Sequence, residues 1–331
     1  AERLGLVQAR VGSGTFVFQD SQAGSGLSVL QTPSAIDGTI DLCANFALPP
    51  QHLGLQQVLK QISDQLPQLD LLGYQPAQGV AHQLLWAQAW LQSKNLVLQL
   101  PRISITMGGQ HGIMLSLMVL AKAGDTIACE GLTYPGLAAI AMQLGMKVQG
   151  LAMDEQGVLP DALESACKQN KVRVLYLTPT VQNPTNARMS KSRRLEILAI
   201  TQRFEVKIIE DTVSESHIDD LSDCFALLAP DSCFSVLSHS KHLAGGLRVG
   251  YLVAPDGYRD KLDQAIRAQT WSASAMVVEA TQRWLETDVY QSMIATNREQ
   301  LAHRRQWVKQ KLEAYGAQVR AASTHVWLPL E

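Results

Sequence analysis

Between residues 104 and 237 the sequence alternates short apolar, β-prone runs with longer stretches of helical spacing, and few folds accept that rhythm. It predicts strands at Ser104–Met107, Thr126–Cys129, Val172–Leu177, Val206–Glu210 and Cys233–Leu237, with helices over 112–122, 136–144 and 190–203 between them. Strands joined by helical returns are parallel strands, so the expectation is an α/β fold with a mainly parallel sheet wrapped by helices. From about residue 258 the spacing changes to long amphipathic helices, Tyr258–Ala268, Ala275–Leu285 and a charged run over Val289–Tyr315, which predicts a second, smaller domain.

A chain of 331 residues with 46% hydrophobic side chains can fill one large core and a smaller one. Its 28 basic and 30 acidic residues leave a net charge of -2, so there is no overall basic excess with which to grip a polyanion. Five cysteines, at 43, 129, 167, 224 and 233, form no CxxC pair and leave one over in any disulfide scheme. That usage suits a reducing compartment, no metal-ligand spacing is present, and no charged-then-apolar leader or membrane-length apolar run is read. The expectation is a cytoplasmic protein.

Residues 4–18 place two β-prone runs around a glycine-containing turn, a hairpin that is marginal on its own. Residues 19–39, rich in Ser, Gly, Gln and Ala without apolar period, suit a linker, and the main body starts near Ile40. The final segment from His325 is strand-like with nothing after it to pair with. Both ends therefore read as cut through a domain.

The chemistry centres on Ser238-His239-Ser240-Lys241-His242-Leu243-Ala244-Gly245-Gly246-Leu247-Arg248. A lysine that forms an imine needs anion anchors nearby; here hydroxyls flank it and Arg248 offers a forked donor set. Alone, this would equally suit an exposed lysine in a glycine-rich loop. Glu210-Asp211 ends an apolar strand, where an acidic group at the carboxyl edge of a parallel sheet can meet a ligand, although a helix cap explains Asp211 as well. Tyr176 to Asn186 runs from a strand into a Pro/Asn turn in which Asn183 can donate to a ring hydroxyl, or simply serve the turn. Gly108-Gly109-Gln110 opens a helix whose free N–H groups can cradle phosphate, weak evidence by itself. Tyr134 follows a further strand and can stack on a flat ligand or pack in the core. Neither GxGxxG nor GxxxxGK[ST] spacing is present, which removes support for dinucleotide and P-loop readings.

As an ordered set these segments resemble the fold-type I pyridoxal phosphate enzymes, the aspartate aminotransferase superfamily, over roughly residues 40–331. The resemblance implies a mainly parallel, seven-stranded sheet with a smaller C-terminal α/β domain, divided as 40–257 and 258–331. It implies pyridoxal 5'-phosphate as cofactor, held as a Schiff base on Lys241, with Asp211 at the pyridine nitrogen, Asn183 at the ring hydroxyl and Tyr134 stacked on the ring. Gly109, Gln110, Ser238 and Arg248 would hold the phosphate, and Tyr74 would reach in from the second subunit of a homodimer.

Residues 1–18 resemble the wing that ends a GntR-type winged-helix domain, and a wing joined by a linker to such a body is similar to the MocR subfamily of transcription regulators. That resemblance implies a regulator whose body senses pyridoxal phosphate or an amino compound, with DNA reached only through the N-terminal domain. A working aminotransferase is the second reading, and a scaffold without cofactor the third. Departures from the enzyme pattern include Ser214 where the family has a tyrosine three residues after Asp211, Gly245-Gly246 for Pro-Gly, and Asn186 in place of glycine. The arginine that holds a substrate carboxylate in the enzymes has no counterpart within residues 1–331.

Overall fold

The computed structural model describes residues 7–10, 14–17, 45, 48, 52–169, 171–215, 218–320 and 323–329. The expected linker over 19–39 and much of the expected wing lie outside them. Two compact units are separated between Asp41 and Leu42. In the first, β1 (Val7–Arg10) pairs antiparallel with β2 (Gly14–Val17), the hairpin that the sequence predicts.

The second unit is organised by a seven-stranded sheet. Its strands are β3 (Ile103–Thr106), β4 (Thr126–Glu130), β5 (Lys147–Leu151), β8 (Val172–Leu177), β9 (Lys207–Asp211), β10 (Cys233–Ser238) and β11 (Gly250–Val253), in the spatial order β3-β11-β10-β9-β8-β4-β5. A small hairpin, β6 (Met153–Asp154) and β7 (Gly157–Val158), stands apart. Only β11 runs against the rest, antiparallel to both β3 and β10. The carboxyl ends of the other six strands therefore share one edge with the amino end of β11.

Helices cover both faces because the strands are apolar on both. Helices α3 (Gly109–Leu120), α4 (Pro135–Gln143) and α8 (Arg259–Gln269) pack Ile113, Leu137 and Ile266 against Tyr176, Ile209 and Phe234. On the other face α5 (Pro160–Gln169), α6 (Lys191–Arg203) and α7 (Phe225–Leu228) pack Leu163, Ile197 and Phe225 against Leu175, Leu177 and Ile208. Two further helices lie N-terminal to the sheet in sequence. α1 (His52–Leu69) packs with α9 (Ala275–Leu285) around Val58, Ile62 and Trp284. α2 (Ala81–Gln92) seats Leu84, Ala87 and Leu91 near β3 and β11. The last long helix, α10 (Asp288–Leu312), is capped by the Thr287 hydroxyl, which accepts from the Tyr290 N–H at 3.2 Å.

The five predicted strands are present, each within one residue, and Ala275–Leu285 is helical as expected. The sequence reading missed α1, α2, α5, α7, β5, the β6–β7 hairpin and β11. The strand-like segment from His325 does find a partner, but an earlier one: Gln318 and Trp327 exchange both backbone hydrogen bonds, at 2.7 and 3.2 Å. Among the described residues no helix is long and apolar enough to cross a membrane.

A buried ion pair locks α6 to the sheet. Arg194 Nη1 lies 2.8 Å from Glu210 Oε1 with both side chains almost wholly excluded from solvent. The Glu210 carboxylate also accepts from the Phe225 and Ala226 amides, at 3.1 and 3.3 Å, and from the Ser235 hydroxyl at 2.7 Å. Removing only the cation leaves a buried charge without its counterion, so Arg194→Ala is expected to lower unfolding free energy in urea by about 3–5 kcal/mol. A loss below about 1 kcal/mol, the range of exposed pairs, would show that water reaches Glu210.

Candidate functional site: a lysine cavity at the carboxyl edge of the sheet

The shared strand edge dictates which side chains meet. Chain leaving β3 supplies Gly109 and Gln110, chain leaving β4 supplies Tyr134, and chain leaving β8 supplies Thr178 and Asn183. The end of β9 supplies Asp211, with Val213 and Ser214 just beyond, and the end of β10 leads to Ser240 and Lys241. Because β11 starts where the others finish, Arg248, two residues before it, reaches the same place. Together these groups enclose a cavity of about 140 Å³, enough for one flat ring, since an apolar cavity of about 150 Å³ holds a benzene.

Strand alternation decides which of the two acids at the end of β9 enters this cavity. Ile208 faces the α6 side and Ile209 the α3 side, so Glu210 follows the former and Asp211 the latter. Asp211 thus meets Tyr176, its neighbour on β8, whose hydroxyl donates to Oδ2 at 2.6 Å. The Val213 N–H donates to Oδ1 at 2.9 Å. Asp211 therefore caps the turn that follows β9, as one of the two sequence readings has it, and also presents its carboxyl to the cavity. Burial raises this carboxyl above its ordinary value, against the two hydrogen bonds and the Lys241 charge, which lower it.

Lys241 is partly buried, and burial lowers its amine below the ordinary lysine value while the Asp211 charge works the other way. Its Nζ donates to the main-chain carbonyl of Asn45. Asn45 in turn meets His325 Nδ1 through its amide nitrogen at 3.2 Å and accepts from the Thr324 hydroxyl at 3.1 Å. Two remote stretches of chain, at Asn45 and at Thr324–His325, therefore converge beside the lysine.

Arg248 takes a left-handed backbone conformation, φ 54°, and its guanidinium lies over Gly108. A Cβ on Gly108, itself at φ 81°, would stand 3.0 Å from two guanidinium atoms, so the glycine makes the room the cation occupies. No carboxylate pairs with that guanidinium among the described residues. An unpaired cation beside the free N–H groups that open α3 is suited to an anion such as phosphate. The Tyr134 ring is seated over Gly136, where a Cβ would come within 2.2 Å of it.

Seven of the nine residues singled out by the sequence line the cavity: Gly109, Gln110, Tyr134, Asn183, Asp211, Lys241 and Arg248. Ser238 does not. It stands behind the wall, its hydroxyl bonded to Ser240 Oγ at 2.5 Å and to the Val249 carbonyl at 3.1 Å, and Ser240 faces the cavity instead. Tyr74 also lies outside it; this side chain is 88% exposed and packs on Trp271, ring centroids 5.1 Å apart. Ser214 is buried on the cavity wall, too short to supply a phenol.

Tyr176, Ser240 and Glu130 were missed. Tyr176 sits beside Ile209 in register, a pairing that becomes visible only once β8 and β9 are known to be neighbours. Glu130 ends β4 wholly buried, accepting from the Thr178 N–H at 3.1 Å and the Thr178 hydroxyl at 2.9 Å.

The comparisons agree with this geometry. A family model described as aminotransferase class I and II matches residues 37–328. The chain belongs to that family. It is 29% identical over 318 residues to YdeF of Bacillus subtilis (strain 168), an uncharacterized HTH-type transcriptional regulator, covering 95% of this chain and 67% of that protein. In fold it is similar to an archaeal alanine:glyoxylate aminotransferase, with TM-score 0.78 and 23% identity over 96% of this chain and 79% of that one. It is similar also to the kynurenine aminotransferase of Pyrococcus horikoshii solved with PMP, with TM-score 0.76 and 20% identity over 91% and 80%. The chain spans between about a third and two thirds of the length of the HTH-type regulators it matches. The likeness to regulators with an aminotransferase body, expected from the sequence, is borne out, as is the fold class.

Glu130 generates a pH prediction. Burial, opposed by the Thr178 hydrogen bonds, pushes its carboxyl from an ordinary 4.5 up to about 7. A group that binds its proton more tightly when folded contributes stability that is fully present below the unfolded value and lost as pH rises through the folded one. Stability measured by denaturant is therefore expected to fall between about pH 4.5 and 7 from this residue, and Glu130→Gln is expected to flatten that slope. An unchanged slope in the variant would place the titration elsewhere.

Proposed function

We propose that this chain is the pyridoxal phosphate binding effector body of a GntR/MocR-type transcription regulator, sensing pyridoxal phosphate or an amino compound at Lys241. The observation that carries it is a partly buried lysine amine sharing one small cavity with a buried aspartate and an arginine that pairs with no carboxylate among the described residues. The regulator reading draws on the likeness to HTH-type regulators and on Ser214 in the cavity wall.

Pyridoxal phosphate supplies an aldehyde that condenses with amines and a ring that withdraws electrons. This chain's residues fit each part of it. Lys241, its proton made easier to lose by burial, would hold the cofactor through its amine. Asp211, oriented by Tyr176, would serve the ring nitrogen, Asn183 the ring hydroxyl, and the Tyr134 face the flat ring. Arg248, the amides of Gly109 and Gln110, and the Ser240 hydroxyl, which Ser238 positions from behind the wall, would hold the phosphate. Tyr74, exposed in the single chain, reaches the cavity of a second subunit in a cytoplasmic homodimer. DNA is contacted only through a winged-helix domain to which β1 and β2 belong, and residues 40–257 and 258–331 act as large and small domains of the body.

An aminotransferase acting on an amino acid is the second reading, favoured by the presence of Lys241, Asp211, Asn183 and Arg248 in one cavity.

Titration with pyridoxal phosphate is expected to give a visible absorption band that Lys241→Ala lacks, with borohydride fixing the adduct on the peptide that contains Lys241. Arg248→Ala is expected to keep the band but raise the dissociation constant about tenfold to a hundredfold, the worth of a charge-assisted contact. No band with excess pyridoxal phosphate would sink the proposal. Stoichiometric keto acid formed on adding amino acids, with loss of the band, would turn it toward the enzyme.

A further inference from the structure

Lys241 is flanked by two histidines that the cavity does not use. His239 and His242 are both buried, and a chain of four side chains runs through them. The Tyr251 hydroxyl lies 3.0 Å from His239 Nε2, His239 Nδ1 lies 3.0 Å from His242 Nε2, and His242 Nδ1 lies 2.8 Å from the Tyr290 hydroxyl. Tyr251 belongs to β11 and Tyr290 to α10, so the lysine turn is tied to the sheet on one side and to a remote helix on the other. Trp90 of α2 covers both imidazoles, with ring centroids 4.8 Å from His239 and 6.3 Å from His242.

The direction of this chain can be worked out from its inner end. Gln282 Nε2 donates to the Gln83 carbonyl at 2.9 Å, which fixes the orientation of that amide. The same nitrogen faces the Tyr251 hydroxyl at 3.5 Å, so the hydroxyl receives from Gln282, and its own proton, wholly buried and with no other acceptor among the described residues, points to His239. His239 Nε2 is then an acceptor, which leaves the proton on Nδ1 to be donated to His242 Nε2. His242 in turn carries its proton on Nδ1 and donates it to Tyr290. The Tyr290 proton is left for a groove of about 280 Å³ that Asp219 and Arg298 also line. Reversing any one link would set a buried donor against a donor or an acceptor against an acceptor.

We infer that His239 and His242 are positioning residues for Lys241, neutral and protonated on Nδ1, whose one-way chain from Tyr251 to Tyr290 fixes the turn from which the amine enters its cavity. Burial, aided by the Lys94 charge, holds His239 down at about 3, so it is neutral at ordinary pH as the chain requires. The turn, residues Ser240–Ala244, is anchored besides by the Leu243 N–H to the His239 carbonyl at 3.0 Å, the Ser240 N–H to Ser238 Oγ at 3.2 Å, the Ser238–Ser240 hydroxyl contact and the buried Leu243 side chain, none of which reaches α10. This inference rests on Lys241 being the working group of the cavity, as proposed above.

Long-range 1H–15N spectra of the cofactor-free protein are expected to show both buried imidazoles in the Nδ1–H form, the minority form of free histidine. Tyr290→Phe removes the last acceptor with little change of ring volume. It is expected to drive His242 out of that form and to speed hydrogen exchange of the amides in residues 239–244 about three- to tenfold, the worth of one buried hydrogen bond. His242→Asn, which keeps a donor near the Nδ1 position, is expected to exchange more slowly there than His242→Leu. In pyridoxal phosphate titrations Tyr290→Phe is expected to weaken binding by a similar factor while the band persists. An Nε2–H form at either histidine in the wild type, or unchanged exchange of the turn in Tyr290→Phe, would overturn the inference. A wild-type protein that gives no band at all fails the proposed function instead, and the tautomers and exchange rates, read without cofactor, still decide this one.

Discussion

A β-strand turns successive side chains to opposite faces, and at the end of β9 that alternation has to accommodate two buried carboxylates in a row. Each buried charge is costly unless it is paired and hydrogen-bonded. Glu210 meets that demand with Arg194, Ser235 and two amides at the start of α7, and so ties α6 and α7 to one face. Asp211 receives less: one phenol and one amide for two oxygens that can accept about four hydrogen bonds. The structural acid is saturated and its neighbour is left with capacity to spare, on the face where the cavity opens. The rest of the site is arranged around that asymmetry.

The reversed strand completes it. Were β11 parallel to its neighbours, the chain leaving Lys241 would have to cross to the far edge before re-entering the sheet. Running antiparallel to β10, it needs only a short return, and Arg248 emerges at the edge already occupied by the lysine. The left-handed backbone at Arg248 and the missing side chain at Gly108 are the local adjustments that let the guanidinium lie across the helix that begins at Gly109.

Five of the seven strands of the sheet were legible because short runs of mostly apolar, often β-branched residues between turn signals have few other uses. The helices that escaped notice lack such marks. α2 reads AHQLLWAQAWLQ, apolar on nearly every side and without a side-chain cap, and α1 carries Pro67 inside a glutamine-rich run. β11 was hidden because its four residues, Gly250–Val253, follow directly on the lysine turn and read as part of it. Among site residues, Asp211 and Lys241 were readable from strand ends. Tyr176 and Ser240 depended on register and on which hydroxyl of a pair faces inward, and local spacing does not encode either.

A sensor and an enzyme built on this cavity share one first step, the binding of a ligand at its lysine. What the geometry does define is the local consequence of binding. The Lys241 amine is already engaged by the Asn45 carbonyl, and Asn45 is engaged by Thr324 and His325. Any group that takes up the amine must displace it from that carbonyl, at about the worth of one charge-assisted hydrogen bond. A ligand shifts an equilibrium only through its differential affinity for two states, and this contact differs between the occupied and free lysine. Asn45 stands four residues beyond Asp41, where the first compact unit ends. The strand edge that builds the cavity therefore also brings its lysine into contact with the segment of chain nearest to the N-terminal unit in sequence.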